Sequence, residues 1–199
     1  MKRTGFLISL IFFTTILTAM DRSGESSFEL TSGYFTRQGS RPHMEDVVTM
    51  LPQEEFGAFF GVYDGHGGKQ TSDYAGKYLH QILNENLKSD PQTPIQEQFD
   101  KSFNRVDKKL EELNIRDDGS TALVGLVQKN QLHLAWAGDS RAMIMRDSKV
   151  LLTTTDHKPA LEEERIIKAG GLVVIWGNSA RIRPDGFALS RALGNLAYD

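Results

Sequence analysis

The 199 residues suffice for one sizeable domain, and a charged fraction of 25% with an apolar fraction of 39% is ordinary for a globular chain, excluding disordered and collagen-like classes. A formal net charge of −3 and a pI near 6.0 offer no basic footprint for nucleic acid and no electrostatic pull toward an anionic membrane. The absence of cysteine removes disulfides, thiolate zinc sites and cysteine nucleophiles, so stability rests on the core and any metal must be held by oxygen or imidazole.

In chain order, Lys2 and Arg3 lead into a mostly apolar run over residues 6–19. The run is shorter than the roughly 20 residues of a membrane-spanning helix and ends in Leu17-Thr18-Ala19, an acceptable cleavage site, so residues 1–20 read as an export signal. An uncleaved membrane anchor and a buried N-terminal segment are the competing readings. Export implies secretion or the lumen of the secretory pathway; without it the chain is membrane-anchored or cytoplasmic. Residues 21–27 form a polar linker, and one domain is expected over residues 28–199.

The continuous apolar run of residues 58–63 predicts a strand buried on both faces that delivers Asp64 to the end of a sheet. Tyr74, Tyr78, Ile82 and Leu87 predict a helix over 69–88. Ile95, Phe99, Phe103, Val106, Leu110 and Leu113 recur at steps of three and four and predict a second over 93–114, with Pro94 in its first turn. Consecutive helices of this kind pair on one face of a sheet. Strands then follow over 121–128 and 131–137 about Lys129-Asn130, and over 142–146 and 149–154 about Asp147-Ser148. That spacing implies an antiparallel meander rather than a doubly wound parallel sheet. A helix over 161–169 stops at Gly170-Gly171, and short strands are expected over 172–176 and 187–190.

Two acidic knots carry the chemistry: Arg41-Pro42-His43-Met44-Glu45-Asp46 and Asp64-Gly65-His66-Gly67-Gly68. Carboxylates at the point where a strand runs into a glycine turn can converge on a hard cation, with freed backbone carbonyls beside them and an imidazole at hand to move a proton. The structural alternatives are a solvated acidic pair, a turn histidine bonded to its neighbours and an ordinary surface arginine.

These knots, followed in order by Gly119-Ser120-Thr121, Ala137-Gly138-Asp139-Ser140-Arg141, Asp156-His157-Lys158-Pro159 and Leu189-Ser190-Arg191-Ala192-Leu193-Gly194, resemble the metal-dependent protein phosphatases of type 2C. Six motifs in order are specific where any one alone is weak. The resemblance implies an α/β (α+β) fold, a four-layer α-β-β-α sandwich of two antiparallel sheets flanked by helices with the metal centre at one end. It implies two Mg²⁺ or Mn²⁺ ions and hydrolysis of phosphoserine or phosphothreonine in a phosphoprotein substrate. On that pattern Asp64 bridges the metals, Gly65 offers its carbonyl to the first, Glu45 binds the second and Asp46 stands in the outer shell. Arg41 grips the phosphate and His66 protonates the leaving oxygen. Asp139 resembles a ligand of a further, weaker metal, although an Asp-Ser-Arg turn often ties only its own backbone. His43 and His157 receive no catalytic role.

Two departures stand out. Where the family pattern continues with a metal-binding aspartate this chain has Asn195, an amide that can coordinate without charge, so the second metal site is expected to be weakened. The chain also ends before the family's late acidic motif, and nothing in the spacing of Asp185 or Asp199 marks either as a substitute. The missing strands would leave sheet edges and an apolar face for a protein partner. A fragment, a degenerate copy and a partner-completed domain remain open. The functional alternatives to an active phosphatase are a catalytically impaired pseudophosphatase that binds phosphoproteins or a protein partner, and an exported metal-binding domain without phosphate recognition.

Overall fold

The computed structural model describes residues 8–17, 28–128 and 131–196; the linker expected over 21–27, the turn expected at Lys129-Asn130 and Asp199 lie outside the described residues. Strand β1 (Ile8–Leu17) runs antiparallel to β2 (Phe28–Arg37), so the central part of the predicted export signal is extended and paired. No helix among the described residues is long and apolar enough to cross a membrane.

The core is organised by a four-stranded antiparallel sheet. Strand β3 (Val47–Leu51) pairs with β4 (Ala58–Tyr63), whose end is followed by the two-residue strand β5 (Gly65–His66). Two helices come next, α1 (Gln70–Ser89) and α2 (Ile95–Glu112), and after them β6 (Gly119–Ser120), β7 (Ala122–Gln128) and β8 (Gln131–Ala137). The sheet order is β3-β4-β7-β8, with β4 and β7 central. It contains the first predicted hairpin, whereas the strands expected over 142–146 and 149–154 pair with each other in a separate sheet, so the expected meander is divided. Phe59, Tyr63, Val124 and Leu126 are wholly buried there, which is why these strands read as unbroken apolar runs.

The helices pack against each other and α1 lies on β3 and β4. Ala75, Leu79, Ile82 and Leu83 of α1 meet Phe99, Val106 and Leu110 of α2 and the sheet in one core, the stripe that the three-and-four spacing requires. Asn86 donates to Ser102 Oγ at 2.9 Å and accepts from Arg105 at 2.6 Å, a polar clip inside the helix pair. Pro94 occupies the position just before α2 rather than its first turn, where its fixed φ still suits the helix start. Helix α1 has no capping side chain of its own at Lys69. Buried Asp118, 48 residues away, does that work by accepting from the Gln70 N–H at 2.8 Å and from the Thr71 hydroxyl at 2.5 Å.

The remaining strands form hairpins. Strands β9 (Met143–Arg146) and β10 (Lys149–Thr153) join through Asp147 and Ser148, both at positive φ (49° and 61°), the geometry of a type I′ turn. A 3-10 turn (Pro159–Leu161) precedes α3 (Glu163–Lys168), which is therefore two residues shorter at its start than its periodicity predicts. Strand β11 (Leu172–Trp176) pairs with β12 (Ser179–Arg183), which the sequence reading passed over although Ala180 and Ile182 alternate with polar neighbours. The strand expected over 187–190 is absent: among the described residues its pairing is one bridge, Ile182 of β12 to Phe187, after which the backbone leaves β12 and the Ser190 N–H donates to the His157 carbonyl at 3.0 Å. The last strand, β13 (Leu193–Gly194), adds to β6.

The architecture is thus α+β, with antiparallel sheets and a helical layer. Met143, Met145, Val150, Leu151, Ile175 and Trp176 on the two hairpins are exposed.

Candidate active site

Strand β4 ends at Asp64, and the backbone there is clamped from both sides. The Asp64 N–H donates to Thr121 Oγ1 at 3.0 Å, and the Thr121 N–H donates to the Asp64 carbonyl at 2.9 Å. Thr121 is fully buried and shares a 2.6 Å hydrogen bond with Ser140 Oγ. The two acidic knots, distant in sequence, touch at Gly65: a Cβ there would stand 2.5 Å from the Glu45 carbonyl oxygen, so only glycine permits the approach. Ser72 in the first turn of α1 donates to that same carbonyl at 2.6 Å and fixes the contact.

These elements open into a cleft of about 480 Å³ whose walls include Arg41, Asp64, His66, Asp139, Arg181 and Phe187. Asp64 stays open to solvent as a residue, yet its carboxyl is pushed up to about 7. Partial enclosure by the cleft walls is the main cause, followed by the negative charges of Asp46 and Asp139 and a hydrogen bond with Asp46, with the Arg41 cation pulling the other way. Asp139 is ion-paired with Lys158 on the cleft wall. His66 is half-buried, and burial pushes its imidazole below the ordinary value against the Asn195 hydrogen bond and the charges of Asp118, Asp139 and Glu45. The free protein therefore holds His66 mainly neutral at pH 7.

The structure brings Arg41, Asp64, Gly65, His66 and Asp139 to one cleft. Glu45 and Asn195 do not line it. Glu45 is tied through its carbonyl to Ser72, while Asp46 is the acid that shares a hydrogen bond with Asp64. Asn195 meets His66 Nε2 with its amide, Oδ1 at 3.2 Å and Nδ2 at 2.9 Å. Asp185 lines the cleft, a position its spacing did not reveal. Arg181 and Phe187 were likewise missed, having no motif to mark them; the Phe187 ring stands edge-on to His66 at 5.8 Å.

Three further residues organise the site from behind. The Gly138 N–H donates to His157 Nδ1 at 3.1 Å, and His157 stacks on Trp136 at 6.0 Å, so this histidine is framework. Glu162, mostly enclosed, accepts from Arg165, from Arg191 and from the Ser190 hydroxyl, tying the start of α3 to the segment that leads into β13. Burial raises the Glu162 carboxyl, but these bonds outweigh it and hold the group far below the usual carboxylate range.

Among the described residues no group of three or more His, Asp or Glu side chains is gathered closely enough to enclose a metal ion. The donor set at Asp64 nevertheless fits a hard divalent cation in type and in charge. Its oxygens are carboxylates, and the raised Asp64 value reports crowded negative charge that a cation would relieve.

The family model described as Protein phosphatase 2C matches residues 31–199. The rice (Oryza sativa subsp. japonica) protein named Probable protein phosphatase 2C 55 is 38% identical over 178 residues, covering 84% of this chain and 46% of its own length. Protein phosphatase 2C 56 of Arabidopsis thaliana is 35% identical over 201 residues, covering 85% and 46%. Among solved structures, a Caenorhabditis elegans sex-determining protein superposes with a TM-score of 0.74 at 26% identity, covering 94% of this chain and 44% of that one. The serine-threonine phosphatase 2C of Toxoplasma gondii shares the fold at a TM-score of 0.61 and 22% identity, over 98% of this chain and 70% of that one. The chain spans about half the length of the curated relatives it matches. The family model, the identities and the shared fold agree, and the chain belongs to the protein phosphatase 2C family.

Proposed function

We propose that this chain hydrolyses phosphoserine and phosphothreonine in proteins with the help of Mg²⁺ or Mn²⁺. The observation that carries the reading is the cleft itself, where the Arg41 cation shares one wall system with the acid-crowded Asp64 and with His66. Asp64 and Asp46, with Asp139 nearby, would hold the cation. When bound, it lowers the pKa of a water beside the phosphorus and offsets charge on the phosphate oxygens. Arg41 binds the phosphoryl oxygens with its planar fork and orients the group, a task lysine performs poorly. The water oxygen adds at phosphorus and releases one proton to solvent, the phosphorus–oxygen bond to the serine or threonine breaks with its electron pair leaving on that oxygen, and His66 supplies the proton that this oxygen takes up. The ring, mainly neutral in the free protein, gains that proton because an arriving phosphate dianion raises its pKa.

Hydrolysis of a phosphopeptide in millimolar Mn²⁺, abolished by Asp64→Ala and indifferent to thiol reagents, is the expected result. No turnover under those conditions would sink the reading. A second reading is phosphoprotein binding without turnover, with Arg41 on the cleft wall as the phosphate ligand. Phosphopeptide binding that is lost in Arg41→Ala, in a protein that shows no hydrolysis, would select it.

The reading extends to location. Lys2, Arg3 and the apolar run of residues 6–19 support export to the secretory lumen or beyond, where the phosphoproteins met would be those of that space or of another cell. A mature N-terminus near Asp21 is the expected observation; a chain that retains Met1 would instead leave a membrane anchor or the strand pairing of Ile8–Leu17 with Phe28–Arg37 as the role of that segment. The exposed apolar side chains of the hairpins support a protein partner on that face.

A further inference from the structure

The three shortest strands build a small sheet in the order β13-β6-β5, in which His66 stands opposite Gly119 and Gly119 opposite Gly194. Asn195 follows directly. Its backbone is left-handed, with φ at 57°, a region asparagine enters more readily than other non-glycine residues, and its N–H donates to the Asp118 carbonyl at 2.9 Å. That turn sends the side chain back across the small sheet. It crosses at Gly119, where a Cβ would come within 2.4 Å of the Asn195 Oδ1. A residue without a side chain in the middle row is therefore what lets an amide from one edge reach a ring on the other.

At the end of that path both amide atoms lie within hydrogen-bonding distance of His66 Nε2, Oδ1 at 3.2 Å and Nδ2 at 2.9 Å. An amide has an acceptor and a donor on one planar head, and a half-turn about its terminal torsion exchanges them. Asparagine can thus accept from Nε2 when it carries a proton and donate to Nε2 when it does not. An aspartate in the same place could only accept. The Phe187 ring, edge-on at 5.8 Å, bounds the imidazole as well.

We propose that Asn195 is a positioning residue for His66, holding the imidazole ring through Nε2, and not a ligand of the second metal. The ring so held is the one that supplies the proton to a leaving oxygen. This rests on the phosphatase reading for the use made of the proton, but the placement of Asn195 can be tested without turnover.

The experiment compares the full chain with Asn195→Gly and Asn195→Asp. Glycine accepts the positive φ without strain and removes only the amide, so folding is preserved. Three quantities are read: Mn²⁺ affinity by calorimetry, the ¹⁵N signals of the His66 ring in metal-free protein, and kcat on a phosphoserine peptide against kcat on p-nitrophenyl phosphate. A general acid matters most for a poor leaving group, so Asn195→Gly should lower kcat on the peptide by roughly 10- to 100-fold and on p-nitrophenyl phosphate by only a few-fold. Mn²⁺ affinity should stay within about twofold in Asn195→Gly, because losing a ligand would lower it by far more, whereas Asn195→Asp should raise it through space, since a nearby carboxylate attracts a dication without ligating it. The His66 Nε2 signal should move in Asn195→Gly.

A fivefold or greater loss of Mn²⁺ affinity in Asn195→Gly would make Asn195 a metal ligand and overturn the proposal, as would equal losses on both substrates. If the unsubstituted chain turns over neither substrate, the phosphatase reading fails by itself. The calorimetry and the ring signals then decide the role of Asn195: an unmoved Nε2 signal overturns it, and a moved signal with unchanged Mn²⁺ affinity upholds it.

Discussion

The clearest physical liability in the molecule is the Asp64 carboxyl, and replacing it with the isosteric amide in Asp64→Asn should stabilise the metal-free protein at alkaline pH. A carboxyl raised from 3.8 to about 7 is one whose ionised form the folded state disfavours. Its contribution to stability is fully present below the unfolded value of 3.8, falls as pH rises and is lost above about 7. The full displacement corresponds to a ceiling of about 4 kcal/mol. Asp64 is open to solvent, and screening reduces the figure to about 1–2 kcal/mol. The assay is urea unfolding of both proteins in chelator across pH 4–8. The variant should match the parent near pH 4, gain steadily as pH rises and exceed it by that amount at pH 8. His66, His80 and His157, whose values burial also lowers, are common to both proteins, so the difference isolates Asp64. Adding Mn²⁺ at pH 8 should raise the unfolding midpoint of the parent more than that of the variant, since the cation relieves the same charge. Equal stability of the two proteins at pH 8, or a parent that gains on the variant as pH rises, would refute the account of the crowded acid cluster.

Arg41→Ala should raise KM for a phosphopeptide by roughly 10- to 100-fold, and Arg41→Lys should recover only a minor part of that loss, because a point charge does not reproduce the planar fork; steady-state kinetics or peptide anisotropy reads both. Glu162→Gln should lower stability at neutral pH by about 2 kcal/mol, since Arg191 and Arg165 lose the carboxylate they share. Because the folded Glu162 value lies below its ordinary 4.5, the stabilisation it brings is present above that pH and disappears in acid, so the gap between the two proteins in urea unfolding should narrow toward low pH.

Much of the fold was legible because its elements are long and one-sided. The periodicity of α1 and α2, the unbroken apolar runs of β4 and β7 and the two-residue turn at Asp147-Ser148 each obey a local rule, and each appears within a few residues of its predicted place. Where local rules are weak the reading slipped. Residues 187–190 have strand-like composition, but after one bridge to β12 the Ser190 N–H goes to the His157 carbonyl instead of a strand partner. Capping of α1 was equally invisible, because the carboxylate that satisfies its first turn comes from Asp118, across two helices of intervening sequence.

The candidate site divides the same way. The order of the motifs by itself determined the family and singled out Arg41, Asp64, Gly65, His66 and Asp139, since residue type and spacing are properties of the chain alone. Which of these groups meet was decided by the tertiary structure. Only the packing of β5, β6 and β13 sets Asn195 on His66, only the contact of Gly65 with the Glu45 carbonyl joins the two knots, and only the closed cleft adds Arg181, Asp185 and Phe187. Charge and hydrogen bonding act through space over a few ångströms, and sequence separation carries no measure of that distance.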